Sequence, residues 1–195
     1  MTTPTGSSAE LQAIAAEIEA CRRCELHKGR LNVVPGAGPA EADILFIGEG
    51  PGAQEDEAGL PFVGRSGQLL DELLQGIGLH RDVVFITNVI KCRPPGNRAP
   101  HVDEVRACRG YLNRQLAVIR PLLVVTLGRS AMELFVSRGR ISEIHGQPRY
   151  GYGMATLPLY HPAAALYRRS LQSVVREDFD RIPELLAELR QRAST

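Results

Sequence analysis

No tryptophan occurs in the 195-residue chain, and aromatic residues make up only 5% of it. The core must therefore be packed with Leu, Val, Ile and Ala. An excess of one charge is missing too: 23 Lys and Arg stand against 22 Asp and Glu, a formal net charge of +1. Proteins that coat themselves in nucleic acid carry a stronger basic bias. Any such contact here is local, with basic groups at Arg22, Arg23, Lys28 and Arg30, at Arg93 and Arg98, and at Arg168 and Arg169. No apolar run is long enough to cross a bilayer and no targeting signal is visible, so a cytoplasmic protein is expected. Nothing marks an oligomer surface, and a monomer is the default expectation. Structural disulfides are rare in the cytoplasm, so the four cysteines point to metal binding more than to crosslinking.

What is present fits one ordinary domain. Apolar residues account for 44% and charged residues for 23%, the balance of a globular protein with a real core. A single domain over 1–195 is expected, with residues 1–8 disordered. Helical periodicity marks 9–20, a helix from a Ser66 cap to Gly76 and Gly78, 101–119, 129–137, and most of 163–190 with a break near Pro183. Four apolar runs read as strands, at 42–48, 83–88, 121–128 and 152–162, and ISEIHGQPRYG reads as a bend or short edge strand. The strand runs are continuous rather than alternating. That pattern calls for a parallel sheet covered on both faces, a three-layer α/β/α domain with four central strands. Ligands of such folds bind beyond the C-terminal ends of the strands, here at 48–56, 87–93, 126–130 and 158–165.

GEGPGA (48–53) satisfies the glycine pattern of a dinucleotide site. The fingerprint needs a helix opening within the motif to meet the pyrophosphate. With Pro51 inside the glycines, no helix is expected before Ser66, and Glu49, Glu55, Asp56 and Glu57 would repel phosphate. A dinucleotide site is set aside. Glycines beside a carboxylate suit close approach to a flat ligand, with Glu49 and Glu55 as candidates to hold a water or a sugar-side cation.

Two residues separate Cys21 from Cys24, 67 separate Cys24 from Cys92, and 15 separate Cys92 from Cys108. Zinc and a [4Fe–4S] cluster both accept four thiolates. The wide spacing suits a cluster gathered from distant segments, but spacing does not decide between the two.

GEGPGAQEDEAGLPFVGRSGQLLD (48–71), NVIKCRPPGNRAP (88–100) and LYHPAAALYR (159–168), with all four cysteines, resemble the iron–sulfur uracil-DNA glycosylases, and more narrowly the family 4 enzymes. The resemblance spans nearly the whole chain. It implies removal of uracil from single- or double-stranded DNA at the start of base excision repair, and a structural [4Fe–4S] cluster on Cys21, Cys24, Cys92 and Cys108. It also implies catalytic roles for Glu49, Asn88 and His161. Substrate contacts are implied at Gly48, Glu49, Gly50, Gly52, Glu55, Phe62, Asn88, His161, Leu166 and Arg168.

Phe62 would wall the pocket and Asn88 would read the uracil edge, accepting from N3–H and donating to O4, a pattern that cytosine reverses. His161 would donate to O2 as charge develops there. Ala164, Ala165 and Leu166 resemble the segment that wedges into the duplex once the base is flipped. The family pattern has alanine where this chain has Gly50. In the cluster-free relatives that place holds a catalytic aspartate, a role glycine cannot fill. No lysine nucleophile is present in the matching motifs, so no strand cleavage is expected. His101 reads as a cap or surface residue, and His27 and His145 as surface residues. Three other readings remain: a non-catalytic iron–sulfur DNA-binding protein, a covalent trap for uracil-DNA, and a zinc-stabilised hydrolase, which would be colourless. The trap clade carries a basic insertion with a histidine, which residues 88–101 lack.

Overall fold

Five strands form one sheet in the order β2-β1-β3-β5-β4. The computed structural model describes residues 6–151 and 153–194. β1 (Ile44–Gly48), β2 (Phe85–Asn88) and β3 (Leu123–Leu127) are buried along their whole length, and β5 (Met154–Leu159) in all but its first residue. Continuous apolar runs therefore become parallel strands covered on both faces, as their composition requires. The fifth strand, β4 (Arg149–Gly151), is a correction to the expected four. It pairs antiparallel with β5, Tyr150 opposite Ala155. Three residues with little burial leave almost no hydrophobic signature, which is why only a bend or short edge was legible there. At the other edge Ala37 exchanges both backbone hydrogen bonds with Ile86 of β2.

Alternate residues of the strands feed two cores. Ile44, Phe46, Val125 and Leu157 pack with α3 (Arg65–Gly76), α7 (Pro162–Tyr167), α8 (Ser170–Asp180) and α9 (Ile182–Ala193). Leu45, Ile47, Phe85 and Val124 pack on the opposite face with α1 (Gly6–Glu19) and α4 (Val102–Ile119). The aliphatic core expected from the missing tryptophan is what fills both layers. Among the described residues there are also three short α-helices, α2 (Ala53–Ala58), α5 (Arg129–Met132) and α6 (Ile141–Ile144), and two 3-10 turns, Glu25–Lys28 and Pro95–Asn97. Among the described residues no helix is long and apolar enough to cross a membrane.

Several boundaries differ from expectation. Residues 6–8 are the start of α1 rather than disordered, while 1–5 lie outside the described residues. The helix expected from Ser66 is capped by Gly64. The run 129–137 is helical only over its first turn. More consequentially, α2 opens at Ala53, directly behind Gly52, where no helix was expected before Ser66. Glu55 makes this possible by accepting the Gly52 N–H at 3.1 Å, one half of a capping box. The break near Pro183 is real: α8 ends at Asp180 and Pro183 sits in the first turn of α9.

Candidate active site and cysteine pocket

The four parallel strands end side by side, and their C-terminal ends line a cavity of about 420 Å³. β1 lies between β2 and β3, so the chain leaves it in opposite directions, the usual place for a ligand crevice in an open sheet. Glu49 follows β1, Asn88 closes β2, Gly128 follows β3 and His161 follows β5; all four line the cavity.

Asn88 is 2% exposed, and its Oδ1 has no hydrogen-bond partner. Leaving a buried acceptor unpaired costs about 1–3 kcal/mol, so it marks a site where a ligand donor belongs. Gly48 lies beside Asn88 in strand register. A Cβ at Gly48 would collide with Asn88 Oδ1 and with the Phe62 ring. Glycine alone lets these two side chains meet at the strand end.

His161 caps α7. Its Nδ1 accepts the Ala163 N–H at 3.1 Å. An accepting Nδ1 carries no proton, so the neutral ring holds its hydrogen on Nε2. Burial pushes the His161 pKa below its ordinary value, against the opposing pull of Glu49 and Glu55. The ring is therefore a neutral donor at pH 7. Phe62 stacks on it, with ring centroids 5.5 Å apart and planes 24° from parallel. Phe62 has φ of 53°, a conformation that costs a non-glycine residue about 1–3 kcal/mol and persists only where its surroundings hold it. Arg81 does so, donating to the carbonyls of Phe62 and Pro61 while paired with Asp71.

Glu49 accepts a hydrogen bond from the Ser130 hydroxyl across the gap between β1 and β3. Ser130 has little local signal in the sequence beyond its place directly behind Gly128 and Arg129, where β3 ends. Glu55 lines the cavity, but both of its oxygens are engaged by backbone. Besides Gly52 it accepts the N–H groups of Val63 at 3.0 Å and Gly64 at 2.9 Å. It thus holds the glycine loop to the Phe62 loop, and the Gly52 N–H, expected to face ligand, is spent on it. Gly50 lines the cavity and packs against Ile90, where a Cβ would crowd the isoleucine. Leu166 and Arg168 lie at the far end of α7, outside the cavity lining, with Arg168 exposed. Ala165 is 1% exposed and sits in the core, so it does not wedge anything. Tyr167, beside the exposed Arg168, presents the large apolar side chain to solvent at that end.

Four of the five histidines fall outside this cavity, with His80 exposed beyond α3. His101 is the N-cap of α4, as expected. His27 and His145 are not plain surface residues. His27 bonds the Cys24 carbonyl at 2.8 Å, and His145 pairs with Asp178 at 2.7 Å beside the Tyr160 ring. Behind His101, Glu104 accepts its N–H and two bonds from Arg98. The Arg98 guanidinium holds Glu104 down to about 2.

All four cysteines are free thiols lining one pocket on the α1/α4 side of the sheet. Cys92 accepts from the Arg30 guanidinium at 3.2 Å, and the backbone N–H groups of Leu26 and Lys91 favour the thiolates of Cys24 and Cys108 against burial. Hydrogen bonds to sulfur are what a thiolate centre needs. Burial pushes the metal-free Cys108 thiol up to about 11, so loading such a site would release protons. Among the described residues no three His, Cys, Asp or Glu side chains form a group able to hold a metal ion. One zinc ion would need all four sulfurs at about 2.3 Å from a single point. A [4Fe–4S] cluster binds one thiolate per iron and spans a wider space.

The cavity has the attributes of a site for a flat, hydrogen-bonding base: a buried acceptor, a fixed neutral donor and an aromatic wall on an α/β switch point. A family model described as the uracil DNA glycosylase superfamily matches residues 35–190. The chain is 48% identical to a Type-4 uracil-DNA glycosylase of Saccharolobus solfataricus, over 91% of this chain and 87% of the relative. It is 46% identical to that of Archaeoglobus fulgidus (90% and 92% covered) and 43% identical to that of Thermotoga maritima (88% and 93% covered). The chain therefore belongs to the uracil DNA glycosylase superfamily, and within it to the Type-4 group.

Proposed function

We infer that this protein is a monofunctional uracil-DNA glycosylase, which hydrolyses the N-glycosidic bond of deoxyuridine in DNA to release uracil and leave an abasic site. The observation that carries the reading is the buried, unpartnered Asn88 Oδ1 in the same cavity as the Nε2–H of His161. Uracil presents a donor at N3 and acceptors at O2 and O4. Asn88 accepts from N3–H and its amide donates to O4; cytosine, with the opposite pattern, leaves both unmatched. Phe62 forms the wall against the ring.

Bond cleavage sends negative charge onto the uracil, and the neutral His161 donates to O2 as that charge grows, a contact stronger in the transition state than before it. The sugar becomes oxocarbenium-like. Glu49, held by Ser130 at the end of β1, supplies negative charge near it and a base to orient the water that adds at C1′. The base must leave the duplex to reach this cavity, and Leu166, Tyr167 and Arg168 at the end of α7 stand where the opened strand would be held.

Cys21, Cys24, Cys92 and Cys108 hold a [4Fe–4S] cluster in this reading, supported by the one pocket that all four line and by the Arg30 guanidinium that donates to Cys92. When bound, the cluster ties the α1 end, the β2 exit loop and α4 together. The reading extends to one domain over 1–195, acting as a monomer in the cytoplasm.

Purified protein incubated with a labelled uracil-containing oligonucleotide, beside a thymine control, tests this. Free uracil and alkali-sensitive sites over many turnovers are expected. A stoichiometric adduct that survives denaturation would instead identify a covalent trap, and reversible binding with no uracil released a DNA-binding protein.

A further inference from the structure

Lys91 is 1% exposed, a place lysine almost never occupies unless paired. Its Nζ donates to Thr87 Oγ1 at 2.5 Å, to the main-chain carbonyl of Asn88 at 2.8 Å and to Gln115 Oε1 at 2.8 Å. Three acceptors meet the three N–H groups of an ammonium; a neutral amine has only two to give. The acceptors are themselves fixed. The Thr87 hydroxyl and the Gln115 amide nitrogen both donate to the Pro35 carbonyl, each at 2.8 Å. None of these partners is a carboxylate. The cysteines lie on its other side: the Lys91 backbone N–H faces Cys108, and Cys92 is the next residue. One residue thus stands between the thiol pocket and the end of β2.

We propose that Lys91 is a positioning residue for uracil recognition, clamping the Asn88 peptide so that its carboxamide faces the cavity, and anchoring that clamp to the cysteine centre. The proposal rests on Asn88 as the reader of uracil. Its physical basis is short: the Asn88 carbonyl and side chain hang from one Cα, so freeing the carbonyl lets the peptide turn and moves Oδ1. Edge recognition tolerates displacements of only about 0.5 Å. Lys91 also lines the cysteine pocket with Arg23 and Arg30, so the same ammonium that orients the reader would offset thiolate charge in the loaded centre.

Lys91→Met keeps the length of the side chain and removes its donors. The test uses cluster-loaded protein with three measurements: inhibition by free uracil, affinity for abasic-site DNA, and visible absorption of the cluster per chain. K91M is expected to weaken uracil inhibition about tenfold, to leave abasic-DNA affinity and absorption near wild type, and to add nothing to Asn88→Ala in the double variant. Non-additivity of this kind is what an effect exerted through Asn88 requires. Uracil inhibition within twofold of wild type would overturn the proposal, as would losses that multiply in the double variant or a variant changed only in thermal stability. If K91M gives no soluble protein, Gln115→Asn, which withdraws one acceptor by a methylene, decides through the same cycle. Undiminished uracil inhibition in N88A alone would instead sink the reading of Asn88.

Discussion

Replacing Asn88 with alanine should separate activity from stability. In the free protein Oδ1 is buried without a partner, so the native fold carries the cost of that orphan. With uracil bound, the carboxamide makes two hydrogen bonds, and alanine would leave N3–H and O4 unmet. At about 1–3 kcal/mol for each unmet group, a loss of about 3–4 kcal/mol is expected, or roughly 10²–10³-fold in kcat/KM. Removing the orphan acceptor should return about 1 kcal/mol to the fold, offset in part by the small volume lost. Tm is therefore expected to hold or to rise by up to about 2–4 °C for a chain of this size. The assays are steady-state uracil release on a defined oligonucleotide and a thermal melt. Activity within threefold of wild type would refute the role of Asn88. A Tm lowered by several degrees would refute the argument that its oxygen is unpaid in the free protein.

Because burial lowers the His161 pKa, its neutral form belongs to the fold: the associated stability is complete above the unfolded value of about 6.5 and is lost as pH falls below it. Activity should be level from pH 7 to 8 and decline only on the acid side, a limb absent from His161→Gln, whose rate should fall about 10²–10³-fold; an unchanged limb in the variant would assign the titration elsewhere. Cys108→Ser should cut iron content and visible absorption and lower Tm by more than about 5 °C; metal analysis showing wild-type iron would remove Cys108 from the centre. Glu55→Ala frees the N–H groups of Gly52, Val63 and Gly64, and urea unfolding should show a loss of about 2–3 kcal/mol; a stability equal to wild type would mean that the loop does not depend on this carboxylate.

The parts of this structure legible in the sequence are those with a strong local cause. Continuous apolar runs such as ILFIG specify buried parallel strands, and strand ends locate Glu49, Asn88 and His161 before any coordinate is known. What was not legible depends on partners distant along the chain. α2 was missed because its start relies on a backbone N–H bond to Glu55, and that carboxylate is fixed in turn by Val63 and Gly64. Ser130 shows its purpose only when β1 and β3 bring it to Glu49, 81 residues away. Ala165 was placed at the DNA by motif, but the turn of α7 rotates it into the core and Tyr167 outward. Lys91 opens the proline-rich run KCRPPGNRAP, and nothing local tells that its ammonium is buried.

The two borders of the sheet bear on how this protein behaves when crowded. A sheet margin with unpaired amides is a template for pairing with another chain, the first step toward aggregation. On the β2 side, Ala37 takes up both free groups of Ile86. On the far side the margin is β4, only three residues long, with Arg149 as a charged end. The same short strand that eluded the sequence thus acts as a stopper, pairing with Met154, Ala155 and Thr156 of β5 and offering a neighbouring molecule only a three-residue margin.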